Sequence, residues 1–250
     1  MIVLALSTST ARGSVAVTHD DRVLAEITHD DPRGHAEHLF ELIDAALSRA
    51  GVERSAIQLV ACDVGPGSFT GVRIAVSSAK GIALGLGVPL AGVVSLDAMV
   101  ASAREKAPPG ARIAAAIDAK KDEVYVAVHD PDRVVLAPCH VARAAAPDRM
   151  AALGGDRVLV SIADTADLLT IAGPSAVLAL CEPPRAPVIA RLAAARLAAL
   201  ATPSLSTDTP SLSTDTPSPS ADTPSLSTDP ADVVPLYVRA PDAIPSVPVA

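Results

Sequence analysis

Tryptophan is absent from this chain, and its aromatic residues are two Phe and two Tyr. A protein that holds single strands of nucleic acid needs rings on which bases stack, so that mode is excluded as the main one. Cysteine is scarce too: Cys62, Cys139 and Cys181 are odd in number, widely spaced and without a C-x-x-C. This usage excludes a disulfide framework, leaves a structural zinc site short of ligands and predicts a reducing, cytoplasmic setting. Positive charge is in deficit, with 20 Lys and Arg against 28 Asp and Glu and a net charge of −8. A chain of that sign is not the main electrostatic platform for a polyanion. No uncharged apolar run reaches the ~18 residues of a membrane span, and the apolar run 2–6 is too short for a secretion signal.

What is there is aliphatic. Half of the 250 residues are apolar, which suits one large domain or two small lobes. The runs 2–6, 14–18 and 23–28 read as three strands, with turn chemistry at 7–13 and a hairpin at Asp20–Asp21. Leu39, Leu42, Ile43, Ala46 and Leu47 recur at helical spacing and predict a helix over 35–50, stopped by Gly51. A strand at 57–64, a helix at 72–86 ended by glycines, a strand at 90–94 and a helix at 96–104 follow. Pro108-Pro109-Gly110 marks the lobe boundary. Strands at 113–117, 123–129 and 134–137 open the second half. Weaker patterns at 142–153, 158–161 and 176–180 lead to an Ala- and Leu-rich helix at 186–200. Three antiparallel strands and then a helix suit the first lobe of the actin, Hsp70 and sugar-kinase architecture, an α/β fold with mixed sheets.

The segment Gly65-Pro66-Gly67-Ser68-Phe69-Thr70-Gly71-Val72-Arg73 carries the most information. It lies between a strand and a helix, where glycine permits close approach and unpaired N–H groups suit an anion or a partner's backbone. Its spacing, G-x-G-x-x-x-G, is neither the dinucleotide fingerprint nor the phosphate loop, and Lys80 lies too far along the helix to serve as that loop's lysine. A well-capped strand-to-helix turn is the plain alternative. Arg73 and Lys80, seven residues apart, share a side of the helix, as a solvated stripe or as a contact with a partner or with phosphate.

From Thr202 the chain repeats T-P-S-L-S-T-D through 229. Proline in every copy forbids a coiled coil, at about 3 kcal/mol per lost helical position. At most one Leu per copy (the third, 216–222, has Pro219 and Ala221 in place of Leu and Thr) cannot order seven residues, so 202–230 is expected to be a disordered insertion, followed by 231–250 with Pro235-Leu236-Tyr237-Val238-Arg239.

Other constellations point to little chemistry. His35, Glu37 and His38 cluster, but the slot four after His35 holds Leu39, and no third metal ligand is evident. Ser68 is not in a G-x-S-x-G elbow. Asp118, Lys120, Lys121 and Asp122 read as a charged hairpin.

The string GPGSFTGVR at 65–73, followed by Ala79-Lys80-Gly81, resembles the hallmark of the bacterial tRNA threonylcarbamoyladenosine biosynthesis family TsaB. The opening MIVLALSTSTARGSVAV, His35-Ala36-Glu37-His38-Leu39 and PLYVR at 235–239 agree with it. The resemblance implies a two-lobed actin/Hsp70-like (RNase H-like) fold: residues 1–107 as the first lobe, 108–201 as the second, then the insertion and the C-terminal segment. It further implies a non-catalytic subunit that pairs with TsaD and TsaE, or with itself, and reaches tRNA through that complex, which uses ATP and Mg²⁺. Where the fold commonly carries an Asp for Mg²⁺ after the first strand, this chain has Ser7, a poorer ligand for a hard cation. His35, Leu39 and Leu42 of the first helix, with Gly65, Gly67, Ser68, Phe69, Thr70 and Gly71 of the glycine loop and Arg73 and Lys80 of the second helix, are the expected interface or loop residues. Phe69 is expected to anchor that contact or the core. A kinase or ATPase of the same fold, and a metallopeptidase-like protein, are the rival readings.

Overall fold

The computed structural model describes residues 1–30, 35–162, 176–201, 226–227 and 229–236. Two mixed sheets follow one plan. In the first, β1 (Ile2–Ser7), β2 (Gly13–His19) and β3 (Arg22–His29) form an antiparallel meander. Helix α1 (His35–Ala50) leads to β4 (Leu59–Asp63), and α2 (Phe69–Leu86) leads to β5 (Leu90–Val93). Both later strands lie parallel to β1's direction, giving the order β5-β4-β1-β2-β3 within the sheet. After α3 (Ser95–Arg104) the plan repeats. Strands β6 (Arg112–Lys120), β7 (Glu123–His129) and β8 (Val134–Ala142) form the second meander. Helix α4 (Ala146–Ala152), β9 (Arg157–Ser161) and β10 (Ala176–Cys181) complete the order β10-β9-β6-β7-β8. Helix α5 (Ala186–Ala201) follows. This duplicated β-meander with parallel additions is the two-lobed actin/Hsp70-like α/β architecture.

Strand alternation sorts the core into layers. Leu4 and Leu6 of β1, with Val60 and Cys62 of β4, face α1 and α2. Their neighbours Val3, Ala5, Leu59 and Ala61 face the other way, onto α5. In the second sheet Ile113, Ala115 and Ile117 face α3, while Ala114 and Ala116 face α4. The layer against α5 is built largely from alanine, including Ala5, Ala16, Ala61, Ala91, Ala190 and Ala193. Small side chains on both surfaces fill that layer without aromatic rings, which accounts for a core so poor in them.

Several expectations are corrected. Helix α2 begins at Phe69, three residues before the predicted start, because the Ser68 side chain caps it by accepting from Gly71 N at 3.3 Å. A 3-10 turn at Arg54–Ala56 delays β4 to Leu59. Strands β6 and β8 extend to Lys120 and Ala142, beyond their expected ends at 117 and 137. Helix α5, grouped by chain order with the second lobe, packs on the first sheet, because its apolar stripe matches the alanine face there. Residues 202–225 and 237–250 lie outside the described residues, and so does most of the repeat. Its last copy nevertheless supplies β11 (Leu226–Ser227), which pairs antiparallel with Leu90 and Ala91 of β5 at the sheet edge. The boundary at 230 is thus too late. Beyond it Val233 is buried in the first lobe's core, and Leu236 N donates to Val64 O at 2.7 Å.

Candidate functional site

The G-P-G-S-F-T-G segment is pressed against the turn after β1. A Cβ placed on Gly67 would lie 2.3 Å from the Ser9 carbonyl oxygen, and one on Gly71 would lie 1.9 Å from that of Thr8. No side chain fits at either place. Ser68 N donates to Ser9 O at 2.7 Å, Thr8 Oγ1 to Gly71 O at 2.7 Å, and Ser95 N to Gly65 O at 2.8 Å. Gly65 takes φ 98°, a conformation that favours glycine. The hallmark string is therefore spent on internal contact between a turn and a helix start.

At the centre of this contact lies Asp63, the last residue of β4, with no exposed surface. Its Oδ2 accepts from Ser7 Oγ at 2.8 Å and from Ser9 Oγ; the backbone N–H groups of Thr8 and Ser9 approach at 3.3 Å. Ser95 Oγ in turn donates to Ser9 Oγ at 3.0 Å. Burial pushes the Asp63 carboxyl up from its usual range, and the surrounding hydroxyl and backbone donors oppose that push. The same Ser7 hydroxyl proton is shared with Pro184 O, 3.1 Å from Oγ, which ties the loop before α5 into the same knot. A magnesium-bound phosphate does not fit this turn. The Ser7 hydroxyl and the Ser68 N–H are already engaged, and the space a phosphate loop leaves open is filled by the Thr8 and Ser9 carbonyls. Sequence reasoning missed Asp63; a single carboxylate closing an apolar run just before Gly-Pro-Gly was the available signal.

The expected interface residues separate into two groups. Leu39 is 1% exposed and lies in the core beneath α1, so its side chain cannot be a partner contact. Leu42 is half-buried against the same core. Helix α1 begins at His35, whose side chain lies outside the described residues. Half-buried Lys80 donates from Nζ to Ala231 O at 3.0 Å, pinning the C-terminal segment at the surface. Phe69, by contrast, is 52% exposed, with the Arg73 guanidinium 3.7 Å from its ring centre, so it is not a core residue. Thr70 is exposed beside it.

Between α1 and α2 runs a groove of about 420 Å³, lined by Phe40, Ile43, Leu47, Gly81, Gly85 and Leu86. Phe40 is 58% exposed and Leu84 65%. Arg73, Ser77, Gly81 and Gly85, four residues apart, form one outward row along α2. Among the described residues nothing lies within 4 Å of the position a Cβ would take on Gly81 or Gly85. The groove is thus largely apolar, with the Arg54–Asp44 ion pair on its wall, and is shallow at the glycines and open to a second helix. One residue along α1 from buried Leu39, at Phe40, the side chain turns from core to surface.

The remaining candidates bring no site together. His38 stacks obliquely on His29 at 5.1 Å, with Nδ1 3.2 Å from Glu41 Oε2. Asp118 is held by Lys120 and, at 3.0 Å, by Arg143. Cys62, Cys139 and Cys181 carry free thiols; burial pushes those of Cys62 and Cys139 up. Among the described residues no group of three His, Cys, Asp or Glu could hold a metal ion, and no helix is long and apolar enough to cross a membrane.

Fold and turn together define a two-lobed α/β protein of the actin-like class. A family model described as TsaD, tRNA N6-adenosine threonylcarbamoyltransferase, matches residues 22–156. The tRNA threonylcarbamoyladenosine biosynthesis protein TsaB of Escherichia coli (strain K12) is 39% identical over 132 residues, 53% of this chain and 56% of that protein. The Haemophilus influenzae protein of the same name is 36% identical over 128 residues, 50% of this chain and 52% of its own. The solved structure of YeaZ from Pseudomonas aeruginosa superposes with a TM-score of 0.68 at 31% identity, covering 79% of this chain and 92% of that one. The chain belongs to the TsaB family. It spans about half the length of the curated relatives it matches.

Proposed function

We propose that this chain is a non-catalytic partner subunit required for N6-threonylcarbamoyladenosine formation at position 37 of tRNAs reading ANN codons. It acts in the cytoplasm by pairing with TsaD, which TsaE joins, through the α1–α2 face; without those partners the same face pairs two copies. ATP and Mg²⁺ are used by the assembled complex, and tRNA is reached through it.

One observation carries the reading: the bare glycine row beside exposed Phe40 and Leu84. Each exposed helical glycine costs about 1 kcal/mol relative to alanine. Gly81 and Gly85 therefore weaken α2 by roughly 2 kcal/mol, and among the described residues nothing lies within 4 Å of a Cβ at either to offset it. A helix docked at close range supplies the missing contact, and Phe40 and Leu84 give it an apolar rim. Calorimetric titration of TsaD with this chain tests the proposal. Phe40→Asp and Gly85→Leu are expected to weaken binding at least about tenfold with the fold intact. Affinity unchanged in both variants would sink the assignment of this face.

A further inference from the structure

On the opposite side of the first sheet from the α1–α2 groove lies a second cavity, of about 260 Å³. Three elements meet there. Asp97, Val100, Ala101 and Arg104 line one face of α3, Leu192 and Arg196 project from α5, and His129 and Pro131 come from the end of β7 and the turn after it. Since α5 packs on the first sheet and β7 belongs to the second, the cavity sits at the junction of the lobes. Helix α3 begins at Ser95 in the Asp63 knot, and Arg104 is nine residues on, roughly 14 Å along its axis. The cavity is thus separate from both features described above.

Its charges are unevenly matched. Arg196 Nη2 lies 3.4 Å from Asp97 Oδ2, and its Nη1 donates to Gly92 O at 2.8 Å. Asp130 is held bidentately by Arg112, at 2.7 and 3.1 Å, with Arg133 at 3.2 Å. Asp97 also has His129 Nε2 at 3.4 Å. Arg104 differs. Its guanidinium donates to the backbone oxygens of Ala111 and, at 3.5 Å, of His129, and among the described residues no carboxylate forms an ion pair with it. Burial pulls its pKa down, against a weaker opposing pull from Asp130. A part-buried cation without a paired counter-charge on the wall of a cavity is an uncommon arrangement, because buried charges are ordinarily paired. The guanidinium keeps N–H donors beyond the two in use.

We propose that this cavity binds a small organic monoanion, a carboxylate on a short apolar body, with Arg104 as its counter-charge. The carboxylate accepts from Arg104, and the body lies on Val100, Ala101, Leu192 and Pro131. One unpaired cation balances one negative charge; Asp97 and Asp130 repel a second. The walls come from both lobes, so the occupant fixes their relative position and links lobe geometry to the level of that anion.

Butyrate is the probe, with inorganic phosphate as the comparison arm, titrated into the full chain by calorimetry with amide chemical shifts recorded alongside. Saturable butyrate binding is expected, at least about tenfold tighter than phosphate, with shifts confined to residues 97–104, 129–131 and 192–196. Arg104→Gln should weaken it at least about tenfold. Ala101→Leu keeps Arg104 and its carbonyl contacts but fills the cavity; it should block butyrate while the melting midpoint stays within about 2 °C of the parent. No saturable heat at tens of millimolar butyrate, or affinity unchanged in either variant, overturns the proposal. Because the cavity lies across the sheet from α1 and α2, TsaD binding provides an independent control.

Discussion

Ser7 and Asp118 occupy corresponding places, near the end of the first strand of each lobe's meander, and the two turns are held in opposite ways. In the first lobe a neutral hydroxyl meets the buried Asp63, and two glycines let backbone touch backbone. In the second an acid meets Lys120 and Arg143 in a half-exposed hairpin where Lys120, Lys121 and Asp122 all take positive φ. One topology thus tolerates a dry, close-packed junction and a wet, charge-paired one. The dry junction depends on shape, so a single added carbon disrupts it. The wet one depends on exposed pairs worth about 0–1 kcal/mol each, which salt screens.

The largest expected effect contrasts two adjacent residues of α1. Leu39→Asp places a charge in the core and should cost about 4 kcal/mol or more, leaving little folded protein in urea titrations. Phe40→Asp should leave the urea midpoint nearly unchanged while weakening association with TsaD; a folded Leu39→Asp protein that merely binds poorly would reverse the assignment of core and face. Next, Gly71→Ala should lose about 3 kcal/mol, since its Cβ would meet the Thr8 carbonyl, whereas Gly85→Ala should gain about 0.5–1 kcal/mol. Equal responses at the two glycines, measured by the same titration, would remove the distinction between internal and outward use of α2.

The smallest effect sharpens the contrast from the second lobe. The Arg112 guanidinium holds the Asp130 carboxyl below its usual range. A depressed carboxyl contributes stability that is present above the unfolded pKa of ~3.9 and is lost as pH falls through the lower folded value. Arg112→Gln should therefore reduce stability near neutrality and flatten its decline below about pH 4. A steeper acid decline in the variant would contradict this sign.

The sequence made much of the fold readable and less of the site. The 3–4 spacing of Leu39, Leu42, Ile43 and Leu47 located α1, because periodicity reports which stripe is buried. For the same reason it pointed to the wrong residues for docking: the stripe covers the chain's own sheet, and the outward Phe40 breaks the pattern. Glycine spacing at 65–71 located a strand-to-helix turn but not its partner, the Thr8–Ser9 carbonyls, which lie far away in sequence. The place of α5 was hidden because order along the chain does not give order in space. Its alanines became informative only once Ala5, Ala16 and Ala61 were seen opposite them.

That crossing of α5 has a practical consequence for dissecting the molecule. The chain leaves its first half after α3, builds the second sheet, and comes back to cover the first with α5 and residues 229–236. A fragment ending at Pro108-Pro109-Gly110 would therefore present Val3, Ala5, Leu59, Ala61 and Ala91 bare to water, so the halves are not expected to fold apart after simple truncation. A permuted gene that carries residues 186–236 ahead of Met1 would restore each half as one continuous stretch.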